Sequence, residues 1–311
     1  MPIIKLNPRS PASWHVARKL DVTASVVAAL VGEHEFTTRF ELWNLKAGRL
    51  DADPEESAAM KRGRLLEPVA VELIREARPA WEIVHNTGVD VLYFRDTDAR
   101  IGATPDVIAV DPERGPGVVQ IKSVESSTFR KKWVQEDGAV EPPLWIALQA
   151  MTEAYLTGSA WAAVSPLVVG HGLDLEIIDV PLIPSVVDRL KAESLAFWAS
   201  IEAGEEPPAD YRRDAGAIDR LYRRGGDDDA VDFIGRDDVE HLISERKAKK
   251  IAIAQASDDA EAIDAQLKHM MGGAEVAFMS RGRQIRWMTH RRIAPDGKAQ
   301  SYRVLRVPEP L

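Results

Sequence analysis

The residues best suited to catalysis are Asp106 and, fourteen residues later, Gln120-Ile121-Lys122. The apolar residues between these positions flank a turn rich in glycine and proline, which predicts a β-hairpin. Because side chains alternate along a strand, positions 120 and 122 share a face and can converge with Asp106 at the start of the partner strand. An aspartate, a second oxygen ligand and a lysine can hold a divalent ion beside a scissile phosphate. On ordinary strands such a pattern also arises by chance, so its context matters.

Other segments offer residues suited to binding metal or phosphate. Glu67 lies in a helix expected from about residue 54, and Gln149 lies in another expected at 142–156. The basic run Arg130-Lys131-Lys132 follows the hairpin. This run either contacts the phosphates of a DNA backbone or forms an ordinary solvated face, and the sequence leaves both alternatives open.

The composition restricts the chemistry further. The 311 residues include no cysteine, which excludes disulfides, thiolate zinc sites, iron–sulfur clusters and cysteine nucleophiles. Oxygen atoms or histidine must therefore hold any metal, and such ligands favour Mg²⁺ or Mn²⁺. The net charge of −9 argues against a nucleic-acid coat protein, although residues 269–311 carry eight Lys and Arg against three Asp and Glu.

The pattern of elements indicates an α/β core followed by an extension. Helical spacing dominates the first hundred residues, and Gly63 and Pro68 predict a bend or a break in the helix that contains Glu67. Strand-like segments and a last helix, ending near residue 204, complete the first domain, residues 1–204. Residues 205–311 are expected to contain a solvated loop at Asp227-Asp228-Asp229, a long helix or helical hairpin, and short basic strands. These strands either hold DNA or a partner, or pack between subunits.

Six short motifs follow one another along residues 12–170. They are Trp14-His15-x-x-Arg18, Thr23-Ala24-Ser25, Arg62-Gly63-x-x-Leu66-Glu67-Pro68, Pro105-Asp106, Lys122 and Gln149. In this order, and with compatible gaps, they resemble the YqaJ-like viral recombinase family, the relatives of lambda exonuclease within the PD-(D/E)xK nuclease superfamily. The resemblance implies an α/β fold in which helices flank a central mixed β-sheet. It does not cover the C-terminal extension.

The resemblance also implies a role for each matching residue. The implied metal ligands are the side chains of Glu67, Asp106 and Gln120 and the carbonyl of Ile121, and the implied ion is Mg²⁺, with Mn²⁺ as a substitute. Lys122 would assist the attacking water, with Gln149 close to it. Arg18 and Ser25 match the residues that receive a 5′-terminal phosphate in the family. Physical chemistry agrees, because Ser25 opens a helix whose free N–H groups favour an anion, and arginine makes a two-pronged phosphate contact.

Gln120 departs from the family pattern, which usually has glutamate two residues before the lysine. Glutamine keeps a carbonyl oxygen but removes one negative charge beside the ion. Gln-x-Lys variants occur among nucleases of this superfamily, so the change is compatible with activity. It is also compatible with a degenerate, non-cutting site or an engineered substitution. Glu125 can replace the missing charge only if a bulge turns its side chain inward.

The implied function is that of a metal-dependent 5′-to-3′ exonuclease, which resects double-stranded DNA ends for homologous recombination. The alternative is a catalytically weak DNA-end-binding or assembly protein that retained the nuclease fold. A restriction-type endonuclease is disfavoured, because only an end-processing enzyme needs a pocket for a terminal phosphate. The expected partners are DNA ends, a single-strand annealing protein and further copies of the chain in a ring. Without a membrane span or signal peptide, we expect a cytoplasmic protein in a prokaryotic host, of phage or prophage origin.

Overall fold

A computed structural model describes residues 3–51, 56–223, 230–293 and 299–308 of the chain. The chain divides into two units by its internal contacts, residues 1–225 and 226–311. The expected solvated loop Asp227-Asp228-Asp229 lies outside the described residues. None of the helices in the described ranges combines the length and the apolar character that a membrane crossing requires.

The first unit consists of ten strands and seven α-helices in its described part. The strands are β1 (Ile3–Leu6), β2 (Val22–Thr23), β3 (Glu82–His85), β4 (Tyr93–Asp96), β5 (Ile101–Ala103), β6 (Val107–Asp111), β7 (Gly115–Glu125), β8 (Trp161–Val169), β9 (Leu173–Leu175) and β10 (Ile178–Val180). The helices are α1 (Pro11–Lys19), α2 (Arg39–Lys46), α3 (Ala58–Ala77), α4 (Ser126–Lys132), α5 (Leu144–Thr157), α6 (Pro184–Ala203) and α7 (Ala215–Leu221). A 3₁₀ helix covers Ala24–Val31.

A six-stranded mixed sheet forms the centre of this unit. Its strands follow the order β10-β8-β7-β6-β3, and β9 also pairs with β8. The central pair, β7 and β8, is parallel, and the other pairs are antiparallel. A smaller sheet has the order β1-β4-β5-β2. The central mixed sheet expected from the sequence is therefore confirmed.

The predicted hairpin is formed by β6 and β7. Val107 pairs with Val119 and Asp111 with Gly115, so the turn is shorter than the sequence pattern indicates. Gly115 has a φ of 78°, a left-handed conformation that glycine adopts without a Cβ penalty. This register places residue 106, which directly precedes β6, across from residue 120 on β7.

Helices pack on both faces of the central sheet. On one face, α3 contributes Ala70, Val71 and Ile74 to a core that includes Val119 and Ile121 of β7. On the other face, buried side chains of α5 pack with alternate residues of β7: Val118, Val124, Ile146, Ala150 and Ala154 share this second core. Since β7 alternates between the faces, residues 120 and 122 lie on the α5 side.

Helix α3 is continuous through Gly63 and Pro68, so the break allowed by the sequence does not occur. A proline inside a helix removes one backbone hydrogen bond, which costs stability. Burial of Ala70, Val71 and Ile74 against the sheet offsets that cost.

The second unit contains one long helix and a small antiparallel sheet. Helix α8 (Asp237–Met271) has 35 residues and is uninterrupted, which excludes the helical hairpin. The sheet follows the order β11-β12-β13, formed by Val276–Phe278, Gln284–Ile293 and Ala299–Arg306. Together the two units give the expected fold class, an α/β core with a C-terminal helical and β extension.

Candidate active site

A cleft of about 800 Å³ opens beside the hairpin of the first unit. The residues that the sequence singled out and that line this cleft are Arg18, Ser25, Glu67, Asp106, Gln120, Lys122 and Gln149. A second cleft, of about 720 Å³, shares Arg64, Glu67, Asp106, Gln120 and Lys122 with the first and adds Ile121 and Lys132. The shared residues therefore form the point at which the two clefts meet.

Asp106 and Gln120 contact each other across the hairpin. One carboxylate oxygen of Asp106, Oδ2, accepts a hydrogen bond from the Ile121 N–H at 2.8 Å and another from Gln120 Nε2. Gln120 Nε2 also lies 3.3 Å from the Ile121 carbonyl oxygen. Three of the four expected ligand groups thus lie around one point. They are the Asp106 carboxylate, the Gln120 amide and the Ile121 carbonyl.

The orientation of the Gln120 amide bears on whether a cation fits here. Gln120 Oε1 is buried and has no hydrogen-bond partner within the described residues, an uncommon condition for a buried polar atom. The two ends of an amide can be exchanged by a half-turn of the side chain. That half-turn would bring Oε1 towards the Asp106 carboxylate and the Ile121 carbonyl. The resulting set of oxygen donors suits a hard cation such as Mg²⁺.

Glu67 contributes a second carboxylate from α3. Its Oε1 lies 2.7 Å from Nε2 of His85, at the end of β3. Burial, together with the charge of Glu67, raises the pKa of Asp106 to about 7. In the described part of the chain, no three His, Asp or Glu side chains are grouped closely enough to hold a metal by themselves. A cation here would therefore depend on the Gln120 and Ile121 oxygens as well as on the carboxylates.

Lys122 extends towards α5. Its Nζ donates a hydrogen bond to Gln149 Oε1 at 2.9 Å and lies 5.3 Å from the centre of the Trp145 ring. Burial lowers the pKa of Lys122, and the charges of Asp106, Glu153 and Glu67 oppose that shift. The lysine is thus held beside the Asp106–Gln120 pair, where a positive group can stabilise charge that develops on a phosphate.

Arg18 and Ser25 form the other end of the first cleft. Arg18 Nη2 lies 3.5 Å from Ser25 Oγ, and its guanidinium is 4.3 Å from the centre of the Trp14 ring. Trp14 in turn donates from Nε1 to Thr104 Oγ1 at 3.0 Å, which ties α1 to the segment before Asp106. In the described ranges Arg18 forms no ion pair with a carboxylate, and Ser25 lies in the first turn of the 3₁₀ helix. Both features leave donors for an anion.

Only one residue of the basic run after the hairpin lines a cleft in the described part of the chain. Arg130, Lys131 and Lys132 are exposed on α4, but of the three only Lys132 lines the second cleft, where it pairs with Glu35. Glu125 pairs with Arg62 at 2.9 Å and does not join Asp106, so it does not replace the charge absent at Gln120.

Two residues of this site, Glu153 and His85, were not predicted from the sequence. Glu153 follows Gln149 by one helical turn and lines the same cleft, and this four-residue spacing is a signal that the sequence contains. His85 contacts Glu67 because β3 pairs with β6, with His85 opposite Val107. No local pattern indicates that pairing.

The mixed sheet has helices α3 and α5 on its faces and an Asp–Gln–Lys cluster on its central hairpin. This is the arrangement that the resemblance to PD-(D/E)xK nucleases implies. A comparison with protein families is more specific: the model of the YqaJ-like viral recombinase domain matches residues 13–160. Over these residues the chain is therefore similar to the YqaJ-like viral recombinase family, as its motifs indicate.

Solved structures with similar folds include exonucleases. The alkaline exonuclease LHK-Exo from Laribacter hongkongensis is 24% identical, with a TM-score of 0.49 over 67% of this chain and 99% of that one. A phage-related exonuclease from Haemophilus somnus 129PT is 13% identical, with a TM-score of 0.43 over 59% of this chain and 94% of that one. No curated protein matches the sequence.

Proposed function

We propose that the protein is a metal-dependent exonuclease that degrades one strand of duplex DNA from its 5′ end. The observation that carries this proposal is the composition of the first cleft. Arg18 and Ser25 line it together with Asp106, Gln120 and Lys122. The cleft thus combines residues that can bind an anion with residues that can hydrolyse a phosphodiester. A DNA strand could be held there by its terminal phosphate while a nearby phosphodiester bond is hydrolysed.

The hairpin and helix α3 together would hold Mg²⁺ through the Glu67 and Asp106 carboxylates, the Gln120 amide oxygen and the Ile121 carbonyl. When bound, the ion would polarise the scissile phosphate and lower the pKa of a water molecule. Lys122 would orient that water or stabilise the charge that develops on the phosphate, and Gln149 would hold the lysine in place.

The proposed polarity rests on the other end of the cleft. The Arg18 guanidinium offers parallel N–H donors to a phosphate, and the start of the 3₁₀ helix at Ser25 adds free backbone N–H groups. An end-binding pocket of this kind distinguishes a terminal phosphate, which carries more charge, from an internal phosphodiester. Degradation would therefore begin at a 5′-phosphorylated end.

The product of such a reaction is duplex DNA with a 3′ single-stranded tail, the substrate of homologous recombination. A single-strand annealing protein would bind that tail. Because the chain has a net charge of −9, we also propose a ring of copies, in which basic residues are concentrated around the duplex.

One observation favours the alternative of a DNA-end-binding protein with little or no cutting activity. Gln120 presents Nε2 to Asp106 and so forms a hydrogen bond at the position where the family has a second carboxylate. A stable bond of this kind would compete with a cation for the Asp106 oxygen. The alternative keeps the Arg18 and Ser25 pocket and loses hydrolysis.

The experiment that separates the two functions uses linear duplex DNA labelled at one end, incubated with and without Mg²⁺. An exonuclease releases label only with the metal, and chelation stops release while the protein stays folded. Asp106→Asn supplies the inactive control. Binding of ends without any release, at all Mg²⁺ or Mn²⁺ concentrations, would establish the alternative.

A further inference from the structure

Glu153 is a buried carboxylate beside the lysine of the proposed cutting site. It lies on α5 one turn after Gln149, and only 1% of its surface is exposed. Both side chains line the first cleft. Since a buried carboxylate costs stability unless it is well paired, its place in this cleft points to a function.

Two hydrogen bonds connect Glu153 to Lys122 through Gln149. Gln149 Nε2 donates to Glu153 Oε1 at 2.9 Å, and Gln149 Oε1 accepts from Lys122 Nζ at 2.9 Å. An ammonium group can only donate, and the Glu153 oxygen that faces Gln149 accepts, so these two partners together fix the orientation of the amide between them. In the reversed orientation the amide NH₂ would face the ammonium. Glu153 therefore favours the orientation that binds Lys122.

A purely structural role does not explain why Glu153 is buried, because its second carboxylate oxygen is unpaired within the described ranges. Oε2 is buried and has no hydrogen-bond partner among the described residues. An apolar side chain of similar size would avoid the cost of that unpaired atom. Natural proteins retain such costly groups mainly where activity depends on them.

We infer that Glu153 is a positioning residue of the cleavage reaction, which acts through Gln149 to hold the Lys122 ammonium beside the Asp106–Gln120 pair. This inference rests on the proposed nuclease function. Glu153 needs no contact with DNA in this role. Its loss should therefore slow cleavage within the bound complex and leave the affinity for DNA ends nearly unchanged.

Single-turnover cleavage of a 5′-phosphorylated duplex tests the inference in the full-length protein. We expect Glu153→Leu to lower the rate constant about 10-fold to 100-fold, the usual effect of losing a supporting residue of an active site. The Kd for the duplex, measured in chelator, should change less than about twofold. The double variant Glu153→Leu/Gln149→Leu should be no slower than Gln149→Leu, because both residues act along one path. Glu141→Gln, an exposed site just before α5, is the matched control and should cleave at the parental rate.

A second measurement covers the case in which Glu153→Leu does not fold. Glu153→Met keeps nearly the length and volume of the side chain but removes the acceptor oxygen, and its effect on the Gln149 side-chain amide can be followed by NMR. We expect the Gln149 NH₂ protons to exchange slowly with solvent in the parent and faster in Glu153→Met. Parental cleavage rates in a folded Glu153 variant, additive losses in the double variant, or unchanged amide exchange would each overturn the inference. A parent that never cleaves DNA would instead refute the proposed function, and the inference with it.

Discussion

Gln120 and Asp106 face each other across the β6–β7 hairpin, and the Gln120 amide nitrogen donates to the same Asp106 oxygen that accepts the Ile121 N–H. In the family pattern a carboxylate occupies position 120. The amide therefore changes both the charge of the site and the group that faces Asp106.

Gln120→Glu should lower the Mg²⁺ concentration needed for half-maximal cleavage by at least about tenfold. At an effective dielectric of about 20, one unit-charge pair roughly 4 Å apart is worth about 4 kcal/mol, and a divalent ion doubles the attraction before desolvation offsets part of it. A titration of cleavage rate against Mg²⁺ measures the change. An unchanged or higher requirement would show that the pocket is built around the amide.

Asp106→Asn should abolish cleavage in both the parent and the Gln120→Glu background, because Asp106 and Glu67 are the carboxylates proposed to hold the ion. Lys122→Ala should instead lower the turnover rate about 100-fold with little change in metal affinity. Steady-state rates and metal titrations of both variants, with circular dichroism to confirm folding, check these effects. If Asp106→Asn cleaves at the parental rate, the active site lies elsewhere.

The contribution of Asp106 and Glu153 to the stability of the chelated protein should fall as the pH rises from about 5 to 8. Burial raises the pKa of Asp106 to about 7 and the pKa of Glu153 to about 8, so these two groups bind more protons in the folded protein than in the unfolded chain in this range. A carboxyl group whose pKa is raised by folding stabilises the fold fully at pH values below its pKa in the unfolded chain. This contribution is lost as the pH rises through its pKa in the folded protein. Melting temperatures across this range measure the fall, at about 2–4 °C for each kcal/mol. Glu153→Gln should make the dependence shallower, and an equal slope in parent and variant would contradict this origin.

The proposed ring predicts a discrete oligomer in solution. The acidic chain must concentrate its basic residues to surround DNA, and a closed symmetric assembly achieves this. Light scattering across the micromolar range should give one mass that is a small multiple of 34.4 kDa. A monomer throughout this range would remove the ring from the account.

The elements of the site could be predicted from the sequence because their signals are local. Alternation along 118–122 and the glycine-rich turn predict the hairpin, and with it the approach of Gln120 to Asp106. Helical spacing likewise predicts the segment that contains Gln149. These patterns depend only on the residues within each element.

The features that could not be predicted depend on contacts between distant segments. His85 reaches Glu67 only because β3 pairs with β6, and Arg18 is fixed by the contact of Trp14 with Thr104. The orientation of the Gln120 amide is set by the Asp106 carboxylate and the Ile121 carbonyl. Helix α3 continues through Pro68 because burial against the sheet outweighs a local preference for a break.

The central claim is that Arg18 and Ser25 hold a 5′-terminal phosphate in the cleft in which cutting occurs. The most direct test compares the initial rates at which the protein degrades duplexes with a 5′-phosphate and with a 5′-hydroxyl end, in Mg²⁺. The account predicts at least about tenfold faster degradation of the phosphorylated end, since a charge-assisted bidentate contact is worth roughly 1.5–3 kcal/mol. Arg18→Ala should erase this preference, and Arg189→Ala, an exposed position on α6, should keep it. Equal rates on both ends in the parent protein would contradict the claim.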